Sequence, residues 1–214
     1  MSNEILEDLK KAIREYDSEG AAKLARKAVE AKLDPIAATD AMIEVIRQIG
    51  DAFGKGELWL PDLVGAADVM GAAMPIIQEE IMKGGVKRET LGTVVAGTVY
   101  GDIHSIGKTI VCTLLRANDF TVQDLGVNVT PESFLEAIDK YKPDILAMSA
   151  LLTTTAPEQK KIIKTLEKKG LRDKTKIMVG GGAITQEFAD SIGADGYSPT
   201  APGAAKLARK LVGK

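Results

Sequence analysis

The sequence is poor in the residue types that build disulfides, zinc sites and aromatic surfaces. Its 214 residues include one cysteine and one histidine, and aromatic residues make up 4%. The single cysteine, Cys112, excludes an internal disulfide and favours a reducing cytoplasm as the location of the protein. It lies in an apolar run, so we expect it to be a core residue. Zinc sites take three or four protein ligands, and one histidine with one distant cysteine does not supply them.

Long apolar runs and a strong charge bias are also missing. No run reaches the roughly 18 apolar residues of a membrane span. The charged amphipathic segment at the start of the sequence does not resemble a signal peptide. The net charge is −2 with both signs interspersed, which argues against a nucleic-acid partner. What remains is an ordinary soluble composition with 45% hydrophobic residues, enough to build a core.

The first part of the chain has only helical periodicity. Up to about residue 83, apolar residues recur at every third or fourth position in four successive stripes. The fourth stripe, from Leu63 to Ile81, has the spacing of a helix-bundle seam, and Pro75 within it predicts a kink or break near Gly71. A linker with two glycines follows at residues 84–90. The sequence therefore predicts a four-helix bundle over residues 1–88, followed by a second domain over residues 89–214.

The second part alternates short β-branched runs with amphipathic helices. Strands are predicted at 93–99, 120–125, 144–149, 176–179 and 195–197, and helices near 106–117, 131–141, 157–169, 185–191 and 201–212. Such βα units predict a flavodoxin- or Rossmann-like parallel sheet of five strands with helices on both faces and the strand order 2-1-3-4-5. Ligands of such sheets bind outside the carboxyl ends of the strands.

The only histidine lies at one of these carboxyl ends. His104 follows the first predicted strand in the segment GDIHSIG, two residues after Asp102. Neutral histidine binds a metal through one ring nitrogen while a carboxylate holds the other, and Asp102 is suited to that supporting role. Ser149, at the end of the third strand, is a candidate to support Asp102 in turn. A lone histidine ligand suits a cofactor that brings its own further ligands, such as a macrocycle, and a histidine that only caps the helix near Ile106 is the alternative.

Two glycine-containing segments lead to different predictions about ligand binding. The run from Gly180 to Gly182 follows the fourth strand and predicts a slot for something flat or long, because each glycine lacks a Cβ. The tripeptide at residues 107–109 is similar to the end of a phosphate-binding P-loop. However, Asp102 stands where that motif requires its first glycine, so we do not predict a nucleotide site.

Three separated motifs resemble the cobalamin-binding signature. They are Asp102-x-His104-x-x-Gly107, then Ser149-x-Leu151 after 41 residues, then Gly181-Gly182 after a further 29. The resemblance implies that cobalamin binds base-off, with His104 as the lower axial cobalt ligand and the nucleotide tail of the cofactor in the glycine slot. The cofactor-binding residues implied for this domain are Asp102, His104, Ser105, Ile106, Gly107, Ser149, Leu151, Thr153, Gly180, Gly181 and Gly182.

The helical part is similar to the bundle that covers the corrin in corrinoid-dependent methyltransferases. Trp59 stands in the turn where that bundle usually has an aromatic residue, and Met70 is a second candidate for the corrin-facing surface. Two alternatives stay open for these residues: Trp59 as a plain core residue, and Met70 as packing in the bundle seam. Ser105 and Thr109 stand where aspartate and asparagine are common in the family, but neither belongs to the proposed metal site.

The resemblance, which covers nearly the whole chain, is to the small free-standing corrinoid proteins of methylamine, methanol, methoxyaromatic and betaine demethylation. It implies a methyl carrier, in which Co(I) accepts the group from a substrate-specific methyltransferase and delivers it to a second methyltransferase acting on tetrahydrofolate or coenzyme M. It also implies a reductive activator of Co(II) as a partner. No residue set for substrate activation is evident, which favours a carrier over a complete enzyme. The alternatives are the cobalamin subunit of an adenosylcobalamin mutase and a cobalamin-binding regulator.

Overall fold

The computed structural model describes residues 2–83 and 90–213. The chain forms two compact units, Met1–Glu89 and Thr90–Lys214. The predicted domain boundary, and the predicted linker except Thr90, lie outside the described residues.

The first unit contains four helices. They are α1 (Ser2–Arg14), α2 (Ser18–Glu30), α3 (Pro35–Gly54) and α4 (Leu60–Lys83). The side chain of Asp17 accepts a hydrogen bond from the backbone of Gly20 and so caps α2. Asp34 caps α3 in the same way, with Pro35 at the first helical position, where a missing N–H costs nothing. The predicted four-helix bundle is confirmed.

The predicted seam of α4 is buried, but Pro75 does not break the helix. Leu63, Met70 and Ile77 are all at most 4% exposed, and α4 continues through Pro75 to Lys83. A proline cannot donate to the carbonyl four residues earlier, which here belongs to Gly71. Apolar side chains are buried on both sides of this position and hold the helix in one piece. Of the two predicted outcomes near Gly71, the break is therefore wrong, and the kink stays a prediction.

Helix α4 is also long and apolar enough to be a candidate membrane span. The stretch Leu60–Ile81 is the one helix among the described residues with the length and composition to cross a bilayer. The core helix of a soluble protein has the same length and composition. Since α4 packs against both α2 and α3, the helix is accounted for as the core of the bundle.

The second unit is a parallel α/β sheet. Its strands are β1 (Gly92–Thr98), β2 (Phe120–Asp124), β3 (Ile145–Ser149), β4 (Lys176–Gly180) and β5 (Gly196–Tyr197). Its helices are α5 (Ile106–Ala117), α6 (Pro131–Tyr141), α7 (Ala156–Lys168), α8 (Gln186–Ser191) and α9 (Ala201–Leu211). All pairings are parallel, and the order β2-β1-β3-β4-β5 confirms the predicted topology.

Both faces of the sheet are covered, which explains the continuous apolar runs of its strands. Helices α5 and α9 bury one face through side chains such as Leu115 and Ala208. Helices α6, α7 and α8 bury the other face around Phe134 and Ile163. This arrangement leaves the carboxyl edge of the sheet as the place where the loops after β1, β2, β3 and β4 meet.

Candidate functional site

The loop that carries the histidine leaves the carboxyl end of β1 in a tight turn. Gly101 has a φ of +79°, in the left-handed region that favours glycine. The hydroxyl of Thr98, the last residue of β1, donates a hydrogen bond of 3.0 Å to the backbone carbonyl of His104. Helix α5 then begins at Ile106. The loop is thus fixed at both ends by regular structure, so the position of His104 is set by backbone contacts.

Asp102 is fully buried and holds the histidine ring. Its Oδ1 accepts hydrogen bonds from the backbone N–H of His104 at 3.0 Å and from the ring Nδ1 at 2.7 Å. An ionised carboxylate only accepts hydrogen bonds, which assigns the hydrogen to Nδ1. In the neutral ring, the lone pair is then on Nε2. The His104 side chain is 48% exposed, so a metal-binding nitrogen is available at the surface of the sheet edge.

The other carboxylate oxygen is held from the loop after β3. Oδ2 of Asp102 accepts from the Thr155 hydroxyl at 2.7 Å and from the backbone N–H of Leu151 at 2.8 Å. Ser149 is not among the four donors that the described structure places on this carboxylate. The predicted support by Ser149 was therefore wrong, and Thr155 makes the contact instead. The reason is geometric: Ser149 is still within β3, whereas the chain turns back toward Asp102 only at residues 151–155.

These contacts determine the ionisation of Asp102. Burial raises the pKa of this carboxyl group, because it disfavours the charged form. The hydrogen bonds from Thr155, His104 and Leu151 act in the opposite direction and outweigh it, so the pKa lies well below its usual range. Asp102 is consequently ionised at neutral pH and keeps the proton of His104 on Nδ1.

The alternative of a helix-capping histidine is not supported. Ser105 is the N-cap residue of α5, and its side chain makes no capping hydrogen bond. The His104 ring points to Asp102 instead of the helix end. The imidazole therefore has a built support and an accessible nitrogen, which is the arrangement of a ligand.

The glycines after β4 are close to protein atoms, and this changes their interpretation. Gly181 has a φ of +119°, and a Cβ there would lie 2.0 Å from the carbonyl oxygen of Ala150. A Cβ on Gly182 would lie 2.7 Å from Cδ1 of Leu151. Only at Gly180 is the nearest atom, the carbonyl oxygen of Ser198, as far as 3.8 Å. The lack of a Cβ at Gly181 thus admits the neighbouring loop, and the predicted slot does not follow from that residue.

Exposed apolar side chains follow the carboxyl ends of β1, β2 and β3, in the loops or at the start of α5. The sequence interpretation included two of them, Ile106 and Leu151, and the remaining predicted residues Ser105, Gly107 and Thr153 are exposed at the same edge. It missed four that are also exposed: Tyr100, Ile103, Val127 and Leu152. Large apolar residues placed directly after strand ends were the signal that could have found them. Exposed apolar surface of this kind marks a binding site for an apolar ligand or partner.

In the helical unit the two candidate residues differ. Trp59 is 78% exposed just before α4, so the alternative of a core tryptophan was wrong. Its backbone N–H donates to Oδ2 of Asp62 at 2.7 Å, and the hydroxyl of Tyr16 donates to Oδ1 of the same residue at 3.0 Å. Met70 is 4% exposed, which favours the seam alternative. The assignment of Met70 as a cofactor-binding residue is therefore corrected to core packing.

The donor groups present fit a metal that arrives with most of its ligands. Within residues 2–83 and 90–213, no group of three or more His, Cys, Asp or Glu side chains is placed to hold a bare ion. Cys112 is buried in α5, and burial raises its thiol pKa to about 12, so it is a core residue. The site instead offers one imidazole nitrogen beside an apolar surface, which suits an organometallic macrocycle.

Two different family models, both described as B12 binding domain, match the chain, one over residues 5–78 and the other over residues 92–206. It is 41% identical over 212 residues to a corrinoid protein of Desulfitobacterium hafniense, covering 98% of each chain. It is 42% identical over 199 residues to trimethylamine corrinoid protein 2 of Methanosarcina mazei, covering 92% of this chain and 91% of the relative.

Two solved structures of related proteins have a fold similar to that of this chain. The structure of a methanol:cobalamin methyltransferase complex from Methanosarcina barkeri matches with a TM-score of 0.81 at 33% identity, covering 100% of this chain and 82% of that one. The monomethylamine corrinoid protein of the same organism matches with a TM-score of 0.55 at 32% identity, covering 99% and 100%.

Proposed function

The chain belongs to the family of B12-binding corrinoid proteins, and from this premise we propose that it carries methyl groups between two methyltransferases on the cobalt of a bound corrinoid. The observation that carries the proposal is the pair formed by Asp102 and His104. Their 2.7 Å contact leaves Nε2 of the only imidazole exposed and unprotonated when the ring is neutral. Nε2 is the atom we assign as the lower axial ligand of a base-off corrinoid.

The protein contributes positioning and proton control to this chemistry. When bound, the corrinoid supplies a cobalt atom that accepts and releases a methyl group. Asp102 keeps a proton on Nδ1, which orients the ring and makes Nε2 the coordinating atom. Thr155 and the backbone of Leu151 hold Asp102 in its ionised form. The protein thereby sets how readily the axial nitrogen binds.

We further assign the cofactor surface to the loops at the carboxyl edge of the sheet. The exposed side chains of Ile106 and Leu151 provide apolar contact, and Gly180 provides the most open backbone position of the glycine run. The exposed Trp59 of the helical unit is a further candidate for apolar contact with the corrin. Within the α/β unit, the residues proposed for the site are Asp102, His104, Ser105, Ile106, Gly107, Ser149, Leu151, Thr153, Thr155, Gly180, Gly181 and Gly182.

Partners follow from the carrier role. A relative of this chain was solved in a methanol:cobalamin methyltransferase complex, and other relatives are named for trimethylamine and dimethylamine. We propose that this chain also works with a substrate-specific methyltransferase, with a second methyltransferase for the acceptor, and with a reductive activator of cobalt. The methyl donor is then selected by the partner enzyme. The single buried cysteine supports a cytoplasmic location for this assembly.

The test uses hydroxocobalamin and the 214-residue chain. Wild-type protein is expected to retain the corrinoid through gel filtration and to change its visible spectrum. His104→Ala should weaken retention by about tenfold or more and give a different spectrum, because the axial nitrogen is lost. Thr109→Ala is the matched control, since Thr109 is exposed on the next turn of α5. A wild type that retains no corrinoid would overturn the proposed function, and identical spectra with and without His104 would overturn the axial ligation.

A further inference from the structure

The loop after β2 runs beside the end of β1 and continues the sheet beyond its strands. Leu125 N–H donates to the Ala96 carbonyl at 2.8 Å, and Val129 N–H donates to the Thr98 carbonyl at 2.9 Å. A parallel bridge between Val99 and Val129 extends the pairing further. The loop at residues 125–129 is therefore a fixed element against which the histidine loop is built.

Asn128 joins these two loops through both its backbone and its side chain. Its N–H donates to the carbonyl oxygen of Asp102 at 2.9 Å. Its side-chain Oδ1 accepts from the N–H of Gly101 at 2.8 Å. The two hydrogen bonds hold the peptides on both sides of the Gly101–Asp102 bond, and Asp102 is the residue that orients the imidazole.

The backbone of Asn128 restricts which residues can make both contacts. Its φ is +54°, in the left-handed region. Asparagine, aspartate and glycine enter that region most easily. Of these three, only asparagine and aspartate also provide a side-chain acceptor for the Gly101 amide. The position thus requires a short side chain with a carbonyl or carboxylate oxygen.

The other end of this loop is anchored to the helix that follows the histidine. Asp124, the last residue of β2, accepts a hydrogen bond of 2.9 Å from the backbone of Gly126 and forms an ion pair with Lys108. The Lys108 side chain is only 5% exposed and belongs to α5. The Lys108 ammonium group contacts both carboxylate oxygens of Asp124, and these two contacts fix the end of β2 against α5. The loop at residues 125–129 is therefore held to α5 at one end and to the Asp102 backbone at the other.

We propose that Asn128 is a positioning residue for the axial ligand, acting on His104 through the backbone of Asp102. The inference rests on the proposed function only where it calls His104 the axial ligand, because the contacts of Asn128 are all made within the protein. Asn128 stands outside all three motifs of the cobalamin signature. Its role is to keep the Asp102 carboxylate and the His104 ring in register with the sheet edge.

Amide hydrogen exchange of the cofactor-free chain, followed by NMR, tests the proposal without any corrinoid. Asn128→Gly keeps the left-handed backbone and removes only the side-chain acceptor. We expect the Gly101 and His104 amides to exchange about three- to tenfold faster in this variant, the effect of losing one hydrogen bond from a cooperative loop. Asn128→Asp keeps the acceptor and should restore wild-type exchange.

Lys142→Gly is the matched control. Lys142 also has a positive φ of 45° in the C-cap of α6, but it precedes β3 and therefore lies at the opposite edge of the sheet. It should leave both amides unchanged. If the His104 amide keeps wild-type protection in Asn128→Gly, the positioning role is refuted, because Gly101 alone reports only the deleted contact.

A second measurement tests whether Asn128 affects corrinoid binding by His104. With hydroxocobalamin as the probe, Asn128→Gly should weaken retention severalfold and shift the visible spectrum toward that of His104→Ala, while Asn128→Asp stays close to wild type. A spectrum identical to wild type in Asn128→Gly would contradict the proposal. If the wild type itself retains no corrinoid, the proposed function fails, and the exchange experiment still decides the role of Asn128.

Discussion

Thr155 and His104 bind opposite oxygens of the same buried carboxylate. The Thr155 hydroxyl and the His104 Nδ1 each lie 2.7 Å from Asp102, one on Oδ2 and the other on Oδ1. The two residues are separated along the chain by two helices and two strands, α5, β2, α6 and β3, and the parallel sheet brings them to one edge. The histidine that we assign to cobalt therefore depends on a threonine in a distant loop.

Removing the Thr155 hydroxyl should lower the stability of the folded protein. Thr155→Val keeps the shape of the side chain but leaves the buried carboxylate without one donor, and we expect a loss of about 1–3 kcal/mol in the free energy of unfolding. Thr155→Ser retains the hydroxyl and Ser149→Ala removes one that does not contact Asp102, so both should stay within about 0.5–1 kcal/mol of wild type. Urea unfolding at pH 7 measures these differences, and equal losses in Thr155→Val and Ser149→Ala would contradict the assignment.

The lowered pKa of Asp102 predicts that the stability of the protein depends on pH in the acidic range. Its folded-state pKa is lowered, so its contribution is fully present above the unfolded value near 4 and is lost as the pH falls toward the folded value. Wild-type stability should thus decline below about pH 4.

Asp102→Asn isolates this contribution. It cannot titrate there, so its unfolding free energy should fall less steeply between pH 5 and the lowest pH at which the fold survives, by roughly 1–3 kcal/mol. The exposed Asp68, on α4, gives a control in Asp68→Asn, which should follow the wild-type curve. Parallel curves for wild type and Asp102→Asn would show that the carboxylate is not stabilised in its ionised form.

The single thiol should be inert in the folded protein. Burial raises the pKa of Cys112 to about 12, and the side chain is 1% exposed. The reactive thiolate is therefore scarce and inaccessible at pH 8. A disulfide reagent such as Ellman's reagent should modify native protein at least about a hundredfold more slowly than urea-unfolded protein.

A matched variant calibrates this labelling. Thr109→Cys adds a thiol at an exposed position of the same helix, and it should react at once with a stoichiometry of one per native chain. Rapid labelling of two thiols in that variant, or of one in the wild type, would mean that Cys112 is open to solvent.

Much of the architecture followed from local patterns. Proline at the first helical position and threonine at the cap mark the start of α6, and the apolar β-branched runs mark the central strands. The pairing of Asp102 with His104 was also predictable, because residues two apart in a turn are always close. These features depend on short stretches of sequence, so no tertiary information was needed to place them.

Apart from the expected break at Pro75, the errors concern contacts between distant segments. Three consecutive threonines follow β3, and nothing local shows that Thr155 is buried against Asp102 while Thr153 is exposed. Nor does local sequence show that Gly181 packs on the Ala150 backbone, or that Trp59 is exposed while Met70 is buried. Each depends on how a loop or helix turns relative to its neighbours.

The glycines after β4 allow a last prediction that separates folding from cofactor binding. A Cβ at Gly181 would overlap the Ala150 carbonyl at 2.0 Å in a backbone with φ of +119°, whereas at Gly180 the nearest atom is 3.8 Å away. Gly181→Ala should lower the free energy of unfolding of the cofactor-free protein by about 2 kcal/mol or more. Gly180→Ala should change it by less than about 0.5–1 kcal/mol.

The same glycine variants are then compared in their retention of the corrinoid. If Gly180 lines the cofactor slot, Gly180→Ala should weaken hydroxocobalamin retention although the fold is intact, because the added methyl group occupies space that no protein atom fills. Thermal unfolding without cofactor and gel-filtration retention with it would be measured on the same samples. A Gly181→Ala protein as stable as wild type would show that the loop after β3 is free to move away, and unchanged retention in Gly180→Ala would place the nucleotide tail elsewhere on the sheet edge.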